Sequence, residues 1–400
     1  MRDLDTLLVL LATAGVSSDG KKILESRSYF QLLHHGGLPR LVEAAIRNKV
    51  FYPTYVSLQE LEPKLAGAKS ETFLEPYSDL YHQYAVANTL WLNESYRMLG
   101  LLADAGIDVM PLKGLHLAHK YYPTSMARYA HDIDLLFKST RERKNAERLL
   151  VQDGFSVEYS APLETNLKKR YSRFSVHCET HISPASLAYF FEFPRWPNIW
   201  ADGVAGSLAG FRVCLPRPED LLSILCVDMA WKGYFSVCDL LDLRQIIRMN
   251  EAFHWETLET LAVTKTWRYL LSIPLLLADQ LCREELDENL VPSDVLAKIT
   301  EPPMSPQITY GSKNHRRTSF AQLPVEYERL FHRTDFSGTP MFTDSFLWST
   351  SGEPTSWKRL VRTFLEAMEI PTVVRRDYGG AYAASCVRLF LSGLHSRLVG

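Results

Sequence analysis

The stretch that most constrains this chain is "HDIDLLF", residues 131–137, which sets two carboxylates inside an apolar run. Aspartate is a poor strand former, and an ionised carboxylate is costly to bury. In a strand, residues i and i+2 share a face with their Cα atoms about 7 Å apart. Asp132 and Asp134 therefore point the same way, while Ile133, Leu135 and Phe137 take the other face and can enter a core. Two like charges on one spot need positive charge between them. A hard divalent cation supplies it, and magnesium commonly uses one or two carboxylates plus substrate phosphates. A third carboxylate on a neighbouring strand would complete a two-metal site, with ions ~3.5–4 Å apart clamping an in-line displacement at phosphorus. "RFSVHCETHI", 173–182, offers Glu179. Alternation there puts His177, Glu179 and His181 on one face and Val176, Cys178, Thr180 and Ile182 on the other. A D-x-D pair alone is a weak signal, because it also occurs as solvated charge at strand ends.

The surroundings strengthen it. "IDVMPL", 107–112, reads as a short strand, which Lys113-Gly114 leaves. Glycine permits close backbone approach to a phosphate and lysine supplies charge. Arg128 can grip phosphate oxygens bidentately. Residues 113–174 carry 12 Lys/Arg against 7 Asp/Glu in a chain of formal net charge -2. That local excess suits a polyphosphate, although a solvated face would show it too. The overall balance gives no basic field, so nucleic acid is not an expected partner.

Other chemistries find less support. Six cysteines at 178, 214, 226, 238, 282 and 386 form no C-x-x-C pair, which indicates neither a zinc ribbon nor a disulfide framework. Free thiols suit a reducing compartment, so a cytoplasmic location is expected. His177-x-Glu179-x-His181 lacks the H-E-x-x-H spacing, and no P-C-x-x-C follows it as in zinc deaminases. His177 reads as structural. P-loop, Rossmann and nucleophile-elbow motifs are absent from the sequence.

The 400 residues allow two or three domains. The apolar "LLVLLATAGV" near the start follows Asp3 and Asp5 rather than basic residues and is too short for a membrane span. It reads as an amphipathic first helix, and no membrane-spanning segment is expected. Residues 1–105 read as a helical N-terminal region, whose last helix carries Leu92, Tyr96, Leu99 and Leu102 at helical spacing and stops at Gly106. Residues 106–215 read as an α/β core carrying the acidic positions. Within it Ser139 and Glu142 form an S-x-x-E helix start, Gly154 a stop, and "FSVEYS" and "RFSVHCETHI" two strands joined by a polar, lysine-rich connection. Residues 216–299 read as a helical domain, 300–326 as a loop or linker, and 327–400 as a C-terminal helical extension.

Taken together, "GIDVMPLKG", R-x-x-x-"DIDLLF" and "ETHI" resemble the DNA polymerase β-type nucleotidyltransferase superfamily. Within it they resemble a group of largely uncharacterised bacterial nucleotidyltransferases with an L-K-G motif. The matching positions are Leu112-Lys113-Gly114, Arg128, Asp132-Ile133-Asp134-Leu135-Leu136 and Glu179-Thr180-His181. "RPEDLLSILCVDMAWKG" and "SVCDLLDLRQII" resemble that group's C-terminal helices, with Asp239 in its Asp-Leu position. The resemblance covers roughly residues 30–285. Asp228 and Lys232 stand where the group often has histidines, and the last hundred or so residues match nothing in it.

The resemblance implies an α/β (α+β) fold: a small mixed sheet with N-terminal helices and a helical C-terminal region. It implies Mg2+-dependent (or Mn2+-dependent) transfer of an NMP from an NTP to a small-molecule or protein acceptor, with release of pyrophosphate. Asp132, Asp134 and Glu179 would be the metal-binding and catalytic residues, Lys113, Gly114 and Arg128 the nucleotide-binding ones. His181 and Asp239 would serve the acceptor or support the ligands. Two alternatives stay open at this point. One is a nucleotide-binding pseudoenzyme or partner-binding protein without transfer, and the other a metal-dependent phosphohydrolase with water as acceptor.

Overall fold

The computed structural model describes residues 2–17, 37–65, 74–130, 132–160, 164–171, 174–184, 199–232, 236–262 and 265–300. Apart from Thr300, the linker expected over 300–326 and the extension expected over 327–400 lie outside the described residues. The fold is mixed α/β. Helices α1 (Arg2–Ala14), α2 (Leu38–Arg47), α3 (Phe51–Leu65) and the long α4 (Ser78–Asp104) precede the sheet region. That region runs β1 (Met110–Pro111), α5 (Lys113–Lys120), β2 (Asp132–Leu136), α6 (Thr140–Gln152), β3 (Ser156–Ser160), β4 (Glu164–Tyr171), β5 (Phe174–His181), α7 (Ile199–Asp202), β6 (Val204–Leu208) and β7 (Phe211–Leu215). Helices α8 (Pro218–Lys232), α9 (Val237–Arg248), α10 (Trp255–Leu261), α11 (Lys265–Leu286) and α12 (Ser293–Thr300) follow.

The main sheet has the order β1-β2-β5-β4-β3. β2 and β5 pair in parallel, with Asp132 opposite His177, Asp134 opposite Glu179 and Leu136 opposite His181. The other pairings are antiparallel. β1 is only two residues long, at a sheet edge, where a proline that donates no ladder hydrogen bond is tolerated. The β6–β7 hairpin docks beside it through Cys214 N donating to Val109 O at 3.0 Å.

Helix boundaries follow local chemistry. The Ser139 hydroxyl accepts from Glu142 N to start α6. Gly106 and Gly154, with φ +66° and +97°, take the left-handed turn that ends α4 and α6. One core lies between α4, α6 and the sheet, and it receives Ile133, Leu135, Phe137, Leu167, Val176 and Cys178 from alternate strand positions. A second core joins α1–α3 to α8–α12 and reaches the sheet at Met110, Leu112 and Leu136. The acidic face of the sheet therefore looks toward the helices of the second core.

Two expectations need correction. The first helix is not amphipathic over its described side chains: Leu7, Leu8, Val9, Leu10, Leu11 and Ala12 are each 1 % exposed or less. The described part of α1 packs against α2, α3, α9 and α11, which cover these side chains. The lysine-rich connection between the two expected strands is itself a strand, β4, which pairs along its length with β5. Its charges hid the alternation of Thr165 and Leu167, both buried. Lys169 satisfies its ammonium with Glu94 at 3.2 Å and Asp153 at 3.0 Å, and Lys168 pairs with Glu158 at 3.1 Å. No helix among the described residues is long and apolar enough to cross a membrane.

If β4 is a core strand, Leu167→Ala should lower stability by about 2–5 kcal/mol, whereas Lys168→Ala should cost no more than about 1 kcal/mol. Urea unfolding measures both, as a fall in midpoint at unchanged slope.

Candidate active site

Two backbone bonds and one from an indole fix the acidic strand. Trp91 Nε1 on α4 donates to Asp132 O at 3.1 Å, Leu112 N donates to Asp134 O at 3.0 Å, and Phe137 N donates to His181 O at 2.9 Å. With β2 held in this register against β5, Asp134 and Glu179 face the same side at the same height. Asp134, Glu179 and His181 each bring one ligand atom into a group whose members lie within 4.8 Å of one another. Asp134 is buried and Glu179 half-buried. His181 Nε2 lies 3.3 Å from Asp134 Oδ1 and 3.6 Å from Glu179 Oε2, and its Nδ1 lies 4.0 Å from Glu164. Asp132 is half-buried two residues before Asp134, on the same face.

Lys113 opens α5 with φ +42°, a left-handed conformation that is strained for a residue with a Cβ. Its ammonium lies 3.7 Å from Asp134 Oδ1 and 3.1 Å from Asp228 Oδ1 on α8. Gly114 follows in tight quarters. A Cβ there would come within 3.0 Å of Ala130 Cβ, 3.3 Å of Arg128 Nη1 and 3.5 Å of Asp132 O. Only glycine lets the helix start lie so close to the acidic strand.

The electrostatics follow from this crowding. Burial raises the Asp134 carboxyl, but the Lys113 ammonium and the hydrogen bond from His181 outweigh it and hold Asp134 below the usual range. Glu179 is pushed up to about 7 by burial and by the negative charges of Asp134 and Asp132, against the pull of His181 and Lys113. Burial opposes the charge on Lys113, yet Asp134, Asp228, Asp132 and Glu179 together keep it protonated well above its ordinary range. Two carboxylates with unlike proton affinities thus sit side by side.

Oxygen donors from adjacent strands, converging with an imidazole, form a donor set suited to a divalent cation. Asp134 and Glu179 could hold it, with Asp132 next along the face. Lys113 and Gly114 meet this group at the mouth of α5. Arg128 is turned to a different partner. Its Nε and Nη2 fork Asp242 on α9 at 2.8 and 2.6 Å, and the Tyr122 hydroxyl donates to the same carboxylate at 2.6 Å. Asp242 is fully buried. The Arg128 Nη1 edge faces Gly114. Asp239 is engaged at the start of α9, where its carboxylate accepts from Ser236 N at 3.0 Å and Ser236 Oγ accepts from Asp239 N at 3.2 Å. This is a reciprocal capping box.

Sequence reasoning noted Asp228 only as a departure from the resembling group, without a partner for it, and did not single out Asp242. The signal was present, because each is a carboxylate inside an apolar helical segment, "ILCVDMAW" and "CDLLDL". The argument that singled out Asp134 applies equally to both: a buried charge requires a partner.

Residues 36–283 match the model of a family described as uncharacterised nucleotidyltransferase. Among solved structures, the chain is similar to an antigenic nucleotidyltransferase-like protein from Paracoccidioides brasiliensis, at 15 % identity and TM-score 0.34, over 52 % of this chain and 95 % of that one. No curated protein matches the chain.

Two outcomes are expected of the isolated protein in a chelator. Asp242→Ala strands the Arg128 guanidinium in the interior and should cost about 3–5 kcal/mol in urea unfolding. Glu179 binds its proton more tightly folded, near pH 7, than unfolded, near its ordinary 4.5. The folded state then holds the extra proton, so stability should fall as pH rises through that window. Glu179→Gln should flatten this fall, as read from thermal midpoints between about pH 5 and pH 8.

Proposed function

Because the chain belongs to the uncharacterised nucleotidyltransferase family, we propose that it moves an NMP from an NTP to a small-molecule or protein acceptor in a Mg2+-dependent reaction. The observation that carries this reading is the register that sets Asp134 beside Glu179 on parallel strands, with Lys113 against them. A divalent cation bound there, Mg2+ or Mn2+, would neutralise charge on the phosphates and on the attacking and leaving oxygens. Asp132, Asp134 and Glu179 would hold it.

In the proposed reaction an acceptor hydroxyl attacks the α-phosphorus of the NTP. The new P–O bond forms as the bond to the β-phosphate oxygen breaks, and pyrophosphate leaves. Glu179 Oε takes the hydroxyl proton. A cation beside Glu179 would keep its carboxylate ionised and so available to accept a proton. Lys113 supplies a compact positive charge for the triphosphate, and the α5 start at Gly114 lets backbone approach it. Arg128 contributes through its Nη1 edge, the one turned from Asp242 toward Gly114. His181, between the two carboxylates, keeps Asp134 and Glu179 in their mutual geometry. Most of the rate gain then comes from positioning and preorganised charge.

Incubation of the purified chain with each radiolabelled NTP, Mg2+ and a cell extract tests the proposal. Label transferred to an acceptor supports it. Release of free NMP without acceptor indicates a phosphohydrolase, and nucleotide binding without turnover indicates a binding protein. Asp132→Asn and Asp134→Asn should each abolish transfer while circular dichroism shows the fold intact, through loss of several kcal/mol of transition-state stabilisation. Near-normal turnover of either variant at saturating Mg2+ removes that residue from the site. Lys113→Ala should weaken binding of an unreactive NTP analogue by about 1.5–3 kcal/mol in calorimetry.

A further inference from the structure

Lys113 and a bound cation have claims on the same oxygen. The ammonium already lies 3.7 Å from Asp134 Oδ1, and Asp134 is the most deeply buried carboxylate of the group. A cation held by Asp134 and Glu179 would meet that ammonium at close range, and like charges repel most strongly where water is excluded. If Lys113 simply leaned on Asp134, it would act as a built-in competitor of the metal. A second carboxylate competes for the same ammonium. Asp228 Oδ1 lies 3.1 Å from Lys113 Nζ, closer than Asp134.

Asp228 is firmly anchored. From Glu219 to Met229, every side chain of α8 is buried except Asp228, which is half-buried. Leu222, Leu225, Cys226 and Met229 belong to the core shared with the N-terminal helices, so α8 cannot shift without disturbing that core. Lys113 is fixed at its backbone by the start of α5, and its ammonium is within reach of Asp134 on β2 and Asp228 on α8.

We propose that Asp228 is a positioning residue whose carboxylate draws the Lys113 ammonium off Asp134, leaving the acidic group open to a divalent cation while keeping the positive charge at the rim, where the phosphates of the substrate arrive. This rests on the reading of Asp134 and Glu179 as cation ligands. Asp228 is not part of the group of ligand atoms formed by Asp134, Glu179 and His181, and its carboxylate is engaged by the ammonium instead.

The test is Mn2+ binding by calorimetry to the full chain, without nucleotide, at about 0.15 M salt to limit long-range charge effects. Four proteins are compared: wild type, Asp228→Asn, Lys113→Met and the double variant. Asp228→Asn should weaken Mn2+ binding about tenfold, because Lys113 then falls back on Asp134. Lys113→Met should tighten it several-fold. In the Lys113→Met background, Asp228→Asn should change affinity less than about threefold, since there is no ammonium left to position. Asp228→Glu, which keeps a carboxylate in reach, should restore most of the wild-type affinity. An equal loss from Asp228→Asn in both backgrounds would make Asp228 a cation ligand and overturn the proposal. No loss in the wild-type background would leave the contact a purely structural ion pair and overturn it too. Failure of a different kind, with no Mn2+ bound by wild type or no change in Asp134→Asn, removes the metal reading of the acidic group and this proposal with it.

Discussion

Asp134 and Glu179 stand side by side on neighbouring parallel strands, and the first is 2 % exposed. Two carboxylates so placed repel, and burial removes the water that would screen them. Much of the local structure answers that constraint. His181 sits between them with Nε2 toward both, and Lys113 brings an ammonium from the start of α5. The left-handed backbone at Lys113 and the close approach at Gly114 are what put the ammonium there. Strained backbone at a charged cluster is the pattern expected where geometry serves a ligand rather than stability.

A second buried pair ties this face to the helices. Arg128, in the segment that leads into β2, is forked by Asp242 on α9 with Tyr122 completing the carboxylate's bonds. The pair is nearly dry, so its worth lies less in net stability than in the cost of breaking it. It fixes α9 against the segment that leads into β2. Lys113 and Asp228 make a parallel link from α5 to α8. Besides the apolar contacts, two ion pairs therefore tie the segments around β2 to the helices α8 and α9.

The parts of the fold legible in the sequence were those set by local chemistry. Ser139 starts a helix and Gly106 and Gly154 end two, because capping and left-handed turns depend on a few adjacent residues. The alternation in 132–137 and 174–181 separated an acidic face from an apolar one, because side chains in a strand alternate whatever the strand pairs with. Strand β4 escaped notice because Lys168, Lys169 and Arg170 look like loop residues until partners for the lysines appear on β3, on α4 and just past the end of α6. The burial of Leu7 to Ala12 on α1 depended partly on helices from the far end of the described chain, which no local pattern announces.

The same division runs through the candidate site. The sequence by itself determined that Asp132 and Asp134 share a face, that Glu179 and His181 share another strand's face, and that a Lys-Gly turn precedes them. Only the tertiary structure decided that β2 and β5 are parallel neighbours in the register that aligns Asp134 with Glu179. It alone decided that Arg128 is committed to Asp242, that Asp239 caps a helix, and that Asp228 reaches Lys113. Periodicity fixes the direction of a side chain relative to its own backbone, over a few residues. Which charge it meets depends on strand order and helix packing, and these are settled by burial summed over the whole chain.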